Sequence, residues 1–162
     1  MIVGITGGTG FIGRKLVLRH LRNGDEVRVF SRRNPNLANL PDAVRWYSGN
    51  LERSENMANF LDSVDILYHC AGEIRDKNRM ETLHLDGTSL LIKMATGKIG
   101  RWVQLSSVGT YGLKQGGIIN ENSNLNPLGL YEVTKLKSDE LVLSASTSGA
   151  FECVVLRPSI VY

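Results

Sequence analysis

Cysteine is scarce in this chain. It has two in 162 residues, Cys70 and Cys153, with neither a metal-ligand spacing nor the density of a disulfide scaffold, so a zinc site and a disulfide-stapled fold are both excluded and no metal is expected. No apolar run approaches the roughly 20 residues needed to cross a bilayer, and the opening Met1-Ile2-Val3 reads as strand, so neither a membrane span nor a targeting leader is expected. Charge of one sign is also missing. Nineteen basic residues stand against 16 acidic ones, and Arg19, Arg22, Arg45 and Arg101 are scattered, which excludes nucleic acid as a partner. A reducing, cytoplasmic setting is the expectation.

What is present is a globular composition, 42% hydrophobic and 22% charged, in one unit spanning residues 1–162. Short apolar runs alternate with stretches of helical period. Strands are expected over Ile2 to Thr6, Glu26 to Phe30, Val44 to Tyr47, Asp65 to His69, Trp102 to Leu105 and Cys153 to Leu156. Helices are expected over Phe11 to Asn23, Glu55 to Asp62, Arg79 to Thr96 and Tyr131 to Ser148. Repeated strand–helix–strand crossovers build a doubly wound parallel sheet with helices on both faces, an α/β fold. The one long irregular stretch, Gly112 to Leu130, precedes the last helix, where binding loops concentrate.

The first strand runs into Thr6-Gly7-Gly8-Thr9-Gly10-Phe11-Ile12-Gly13, and Leu16, Val17 and Leu21 follow at helical spacing. The glycines at 7, 10 and 13 suit a tight turn, close approach to a diphosphate, and helix–strand packing without a Cβ. The start of that helix offers free N–H groups to the diphosphate. About 20 residues on, where a carboxylate would bind the adenosine ribose of NAD(H), the chain carries Ser31-Arg32-Arg33. A hydroxyl and two guanidiniums fit a 2′-phosphate, so NADP(H) is the expected cofactor. A surface loop that tolerates NAD(H) is the alternative.

Tyr131 and Lys135, four residues apart, share one face of a helix, and an ammonium beside a phenol favours the phenolate. Tyr131 is thereby a candidate proton carrier. The fifth strand ends at Ser106-Ser107, at the edge where open α/β sheets place ligands, and a hydroxyl there can donate to the oxygen that Tyr131 serves.

Taken together, these segments resemble the extended short-chain dehydrogenase/reductase family of NAD(P)-dependent nucleotide-sugar epimerases, dehydratases and reductases. The resemblance extends through His69-Cys70-Ala71, Gly87-Thr88, Ser106-Ser107-Val108-Gly109-Thr110-Tyr111-Gly112, Pro127 with Tyr131-Glu132-Val133-Thr134-Lys135, and Leu156-Arg157-Pro158-Ser159-Ile160-Val161-Tyr162. It implies a Rossmann-like domain with Tyr131 as acid/base. It implies further that Lys135 holds the nicotinamide ribose and lowers the Tyr131 pKa, and that Ser107 binds the reacting oxygen. Thr9, Phe11 and Ile12 would join the glycines at the cofactor. Asn50 and Leu51, in Gly49-Asn50-Leu51, would lie at the adenine; Ala71 and Gly72 would line the cofactor; Pro158 to Ile160 would pass the nicotinamide. The implied substrate is a small molecule, a nucleotide-activated sugar, and the implied assembly a homodimer.

Three departures qualify the resemblance. His84 stands where the family has Asn, and an imidazole is not expected to copy an amide's pairing of donor and acceptor. Val108-Gly109-Thr110 replaces the Asp-Glu pair of sugar dehydratases, which disfavours dehydration. The motif breaks off at Tyr162, as in an enzyme lacking a C-terminal substrate-binding part. A non-catalytic NADP(H)-binding sensor or structural subunit is the competing reading. Among the remaining residues, His69, Trp46 and Trp102 are expected in the core and His20 on the surface; Cys70 is expected to be unreactive. Glu73 is expected to be a solvated loop carboxylate, with a substrate contact as the alternative, and the role of Glu121 is open.

Overall fold

The structure is a computed structural model and describes residues 1–53, 55–113 and 117–162; three positions of the expected 112–130 loop lie outside the described residues. Six strands form one parallel sheet: β1 (Ile2–Thr6), β2 (Glu26–Ser31), β3 (Arg45–Ser48), β4 (Val64–His69), β5 (Ile99–Leu105) and β6 (Glu152–Leu156). Their order is β3-β2-β1-β4-β5-β6. The chain thus winds outward from β1 in one direction and from β4 in the other, leaving a crevice beyond their carboxyl ends.

The helices are α1 (Phe11–Arg22), α2 (Met57–Leu61), α3 (Lys77–Glu81), α4 (Gly87–Ala95) and α5 (Leu130–Thr147). Alternation along β1 decides which helix covers which face. Val3 and Ile5 join Val17 of α1 with Val27 and Val29 in one core. Gly4 points the other way, toward Phe60 of α2, where a Cβ would come within 3.1 Å of the ring. The second core gathers Phe60, Leu67, Leu91, Trp102 and Val142 beneath α2, α4 and α5. Each of these buried side chains contributes roughly 1.5–3 kcal/mol of burial energy.

The helix expected over Arg79 to Thr96 is interrupted. Between α3 and α4 the backbone makes a π turn, Thr82–Asp86, with Gly87 N–H reaching back to Thr82 C=O. Short 3₁₀ turns, Pro35–Leu37 and Val108–Tyr111, follow β2 and β5. Among the described residues, no helix is long and apolar enough to cross a membrane.

Candidate active site

The glycine turn joins β1 to α1. Gly7 has φ +67°, a left-handed conformation, and a Cβ there would sit 2.6 Å from Ala71 N. Gly10 N–H donates to Gly7 O at 2.9 Å, closing the turn. A Cβ on Gly13 would run into the Gly7 carbonyl, so α1 can start only with hydrogen at that place. The first turn of α1 carries no acidic residue and no side-chain cap, which leaves its N–H groups for an anion. Thr9 and Gly10 line the cleft above it; Phe11 and Ile12 form the first turn, with Phe11 exposed.

Ser31, Arg32 and Arg33 line the same cleft. Ser31 Oγ accepts Arg33 N–H at 3.1 Å and fixes the bend after β2. Asn50 and Leu51 follow the neighbouring strand β3, and Ala71 and Gly72 form the wall at the end of β4; none of the described cleft-lining residues is acidic. The ring of Phe30 fills the space where a Cβ on Gly49 would be, so glycine there admits the aromatic floor.

The reacting side is built from the end of β5 and the start of α5. The two serines divide the work. Ser106 is buried and donates to Asp139 Oδ2 at 2.6 Å, whereas Ser107 is half-buried and its Oγ accepts Gly109 N–H at 3.1 Å. With its oxygen so engaged, Ser107 keeps its hydroxyl proton for an incoming oxygen. Pro158 O accepts Val108 N–H at 3.0 Å, which brings the segment after β6 beside Ser107; Ile160 is 86% exposed.

Tyr131 and Lys135 occupy one face of α5. Lys135 is buried, and among the described residues no group pairs with its ammonium. Burial lowers its pKa, against the opposing charge of Asp139. Tyr131 departs from expectation: its phenol lies above the ordinary value because burial and the Glu132 and Asp139 charges oppose the phenolate, and no lowering by Lys135 appears. The desolvated site disfavours an anion more than one ammonium farther along the helix favours it.

His84 also departs from expectation. It lies in the π turn, buried, with its ring edge-on to Tyr131 at 5.7 Å. Its Nε2 accepts Glu73 N–H at 2.9 Å, so the ring proton sits on Nδ1, which donates to Thr134 Oγ1 at 2.8 Å. Thr134 passes the bond to Tyr131 O at 3.0 Å. The imidazole therefore supplies one acceptor and one donor, tying the segment after β4 to the helix that carries Tyr131. Burial and the Lys135 charge hold it neutral, with a pKa of about 4.

Sequence reasoning missed the polar groups behind this surface. His69 bonds to Thr6 Oγ1 at 2.7 Å and Thr88 Oγ1 at 3.1 Å, Thr88 meets Ser138, and Ser138 accepts from Gln104. This chain links β1, β4, β5, α4 and α5. Asp139 is buried, holds Arg157 through Oδ2 and lies one turn beyond Lys135, a spacing that could have marked it. His20, expected at the surface, is buried against Asp25 at 2.8 Å and Tyr68 at 3.2 Å. Burial pushes the Cys70 thiol up to about 12, so it is unreactive, as expected. Glu73 Oε1 accepts the N–H groups of Ile74, Arg75 and Asp76, which makes it a loop-fixing carboxylate.

The residues fit a dinucleotide: a glycine cradle that any Cβ would fill, a helix start open to phosphate, and a buried ammonium with no hydrogen-bond partner among the described residues. Fold and cleft thus define an α/β protein of Rossmann-like topology with a cleft that fits a dinucleotide. Residues 3–162 match the model of the NAD dependent epimerase/dehydratase family, and the chain belongs to that family. It is 32% identical to sterol demethylase protein B of Methylococcus capsulatus, over 96% of this chain and 50% of that protein. A short-chain dehydrogenase/reductase superfamily protein of Agrobacterium tumefaciens with bound NAD superposes with TM-score 0.87 at 27% identity, covering 97% of this chain and 48% of the other. The dTDP-glucose 4,6-dehydratase DesIV of Streptomyces venezuelae, solved with NAD, does so with TM-score 0.84 at 26% identity, covering 97% and 55%. The chain spans about half the length of these proteins.

Proposed function

We propose that this protein is an NADP(H)-dependent epimerase or reductase of a nucleotide-activated sugar, with NAD(H) as the weaker cofactor. The observation that supports the reading is the buried Lys135, without a hydrogen-bond partner among the described residues, on the helix that carries Tyr131 and with its charge acting on Cys70 of the cleft that Arg32 and Arg33 line. The nicotinamide, when bound, supplies the hydride acceptor or donor. The Gly7–Gly13 turn and the start of α1 would hold the diphosphate, Arg32 and Arg33 the 2′-phosphate, Asn50 the adenine, and Lys135 the nicotinamide ribose.

Ser107 donates a hydrogen bond to the reacting oxygen and fixes its position, keeping its own proton. Tyr131 exchanges a proton with the same oxygen. Its raised pKa keeps the phenol protonated at neutral pH, the form that protonates an alkoxide as a ketone is reduced. In an epimerase the same groups act twice, once on each face of the sugar; in a reductase they act once. A homodimer and a cytoplasmic location complete the reading.

Steady NADPH consumption with nucleotide ketosugars identifies a reductase, and interconversion without consumption an epimerase. Tyr131→Phe is expected to abolish turnover at nearly unchanged NADPH affinity; retained turnover refutes the role of Tyr131. A second reading, in which the alcohol is apolar, is favoured by the 32% identity to sterol demethylase protein B, and a sterol alcohol in the same assay decides between them.

A further inference from the structure

The residue after Tyr131 is a glutamate, and two glycines make room for it. A Cβ on Gly109 would lie 2.7 Å from Glu132 Cγ, and a Cβ on Gly129 would collide with Glu132 Oε2. Glu132 therefore folds back over the start of α5 toward the turn after β5. That same point beside Gly109 is 3.3 Å from Ser107 Oγ and 3.4 Å from Glu132 Oε1, so the carboxylate and the Ser107 hydroxyl are close neighbours across Gly109. Among the described residues, nothing donates a hydrogen bond to this carboxylate. An acid near a helix start is stabilised by the helix dipole wherever it points. The two missing side chains leave the room this one occupies.

We propose that Glu132 is the specificity-determining residue of the reacting-oxygen pocket: its carboxylate accepts a hydrogen bond from a hydroxyl or amino group beside the reacting carbon and turns away substrates that carry an anion there. The proposal rests on the sugar reading above. A hydroxyl or ammonium completes an acceptor that has no donor among the described residues, whereas a second carboxylate would add like charge in a partly desolvated place. The influence of Glu132 on the Tyr131 phenol, second after burial, agrees with this placement. The other charged and titratable groups around Tyr131 are Lys135 and Asp139 on its own helix, His84 of the π turn, and Arg157 with Tyr111 behind Asp139.

The placement is tested without any substrate. Phenolate absorbance is titrated in the wild-type protein, Glu132→Gln and Gly109→Ala, with Tyr131→Phe subtracted to isolate Tyr131. Gly109→Ala expels the glutamate from its niche while leaving its charge on the helix, and it serves also if Glu132→Gln fails to fold. Both variants are expected to lower the Tyr131 midpoint, Glu132→Gln by about one pH unit, tenfold in proton affinity. Unchanged midpoints overturn the proposal. Selectivity is then read from the affinities of UDP-glucose and UDP-glucuronic acid for the protein with NADPH present. The wild type is expected to favour the neutral sugar about tenfold, and Glu132→Gln to close the gap by binding the uronate more tightly; equal wild-type affinities overturn the proposal. If neither sugar binds, the sugar reading fails, and the phenolate titration alone decides the place of Glu132.

Discussion

Arg32 and Arg33 replace the carboxylate that would bind ribose hydroxyls, and no described acidic residue lines their cleft. Arg32→Ala is expected to weaken NADPH about tenfold or more and to leave NADH nearly unchanged, because a charge-assisted contact of about 1.5–3 kcal/mol disappears for one cofactor only. A fluorescence titration with both cofactors measures it, and an equal loss for both refutes the 2′-phosphate contact. His84 sets a pH dependence. Its folded pKa of about 4, and the value of about 3 for His69, lie below the roughly 6.5 of an unfolded histidine. The unfolded chain then binds protons that the folded one refuses, so this stability is complete above about pH 6.5 and lost as pH falls toward 4 at His84 and 3 at His69. The urea midpoint is expected to drop between about pH 7 and 4.5, and less steeply in His84→Gln. An equal slope in the two proteins shows that His84 titrates freely. The residues legible in the sequence are those with fixed spacing to a motif: Gly7, Gly10, Gly13, Ser107, Tyr131 and Lys135. His20, Asp139 and Glu132 were not legible as site or core residues, because their surroundings come from distant segments.

Strands were easier to read than helices. All six are present where short apolar runs stand between turn residues, with β1 matching at both ends and the others differing by at most three positions, the most at β5, which begins at Ile99 instead of Trp102. α1 and α5 match within a residue at each end. The α3–α4 stretch kept its helical period, yet the period does not show that one turn is π; that depends on Leu83 and His84 both needing to face inward. The start of α1 gives the clearest mutational test. Gly13→Ala puts a methyl into the Gly7 carbonyl and is expected to cost about 1–3 kcal/mol of stability and to abolish NADPH binding, measured by denaturant unfolding and titration. Wild-type behaviour refutes the close packing of turn and helix.

At the scale of the molecule, the cleft joins segments from both halves of the sheet, so a bound dinucleotide bridges them. Ligand at about 100 times its Kd adds roughly 2.7 kcal/mol of stability. For a domain of this size that is a rise in Tm of about 5–11 °C. NADPH is expected to produce it and NADH at equal concentration a smaller one, read by differential scanning calorimetry; no shift with either shows that the halves do not share a dinucleotide. The π turn carries a further consequence. With Gly87 N–H bonded five residues back to Thr82 C=O, the helix holds one residue more than an α-helix uses over that span. Removing one residue from Thr82 to Asp86 would turn that bond into the ordinary bond to the fourth residue back and leave α3 and α4 in nearly the same phase, while costing the inward placement of Leu83 and His84 together. This stretch is therefore where the family's sequences should differ in length by a single residue while the helices on either side keep their register.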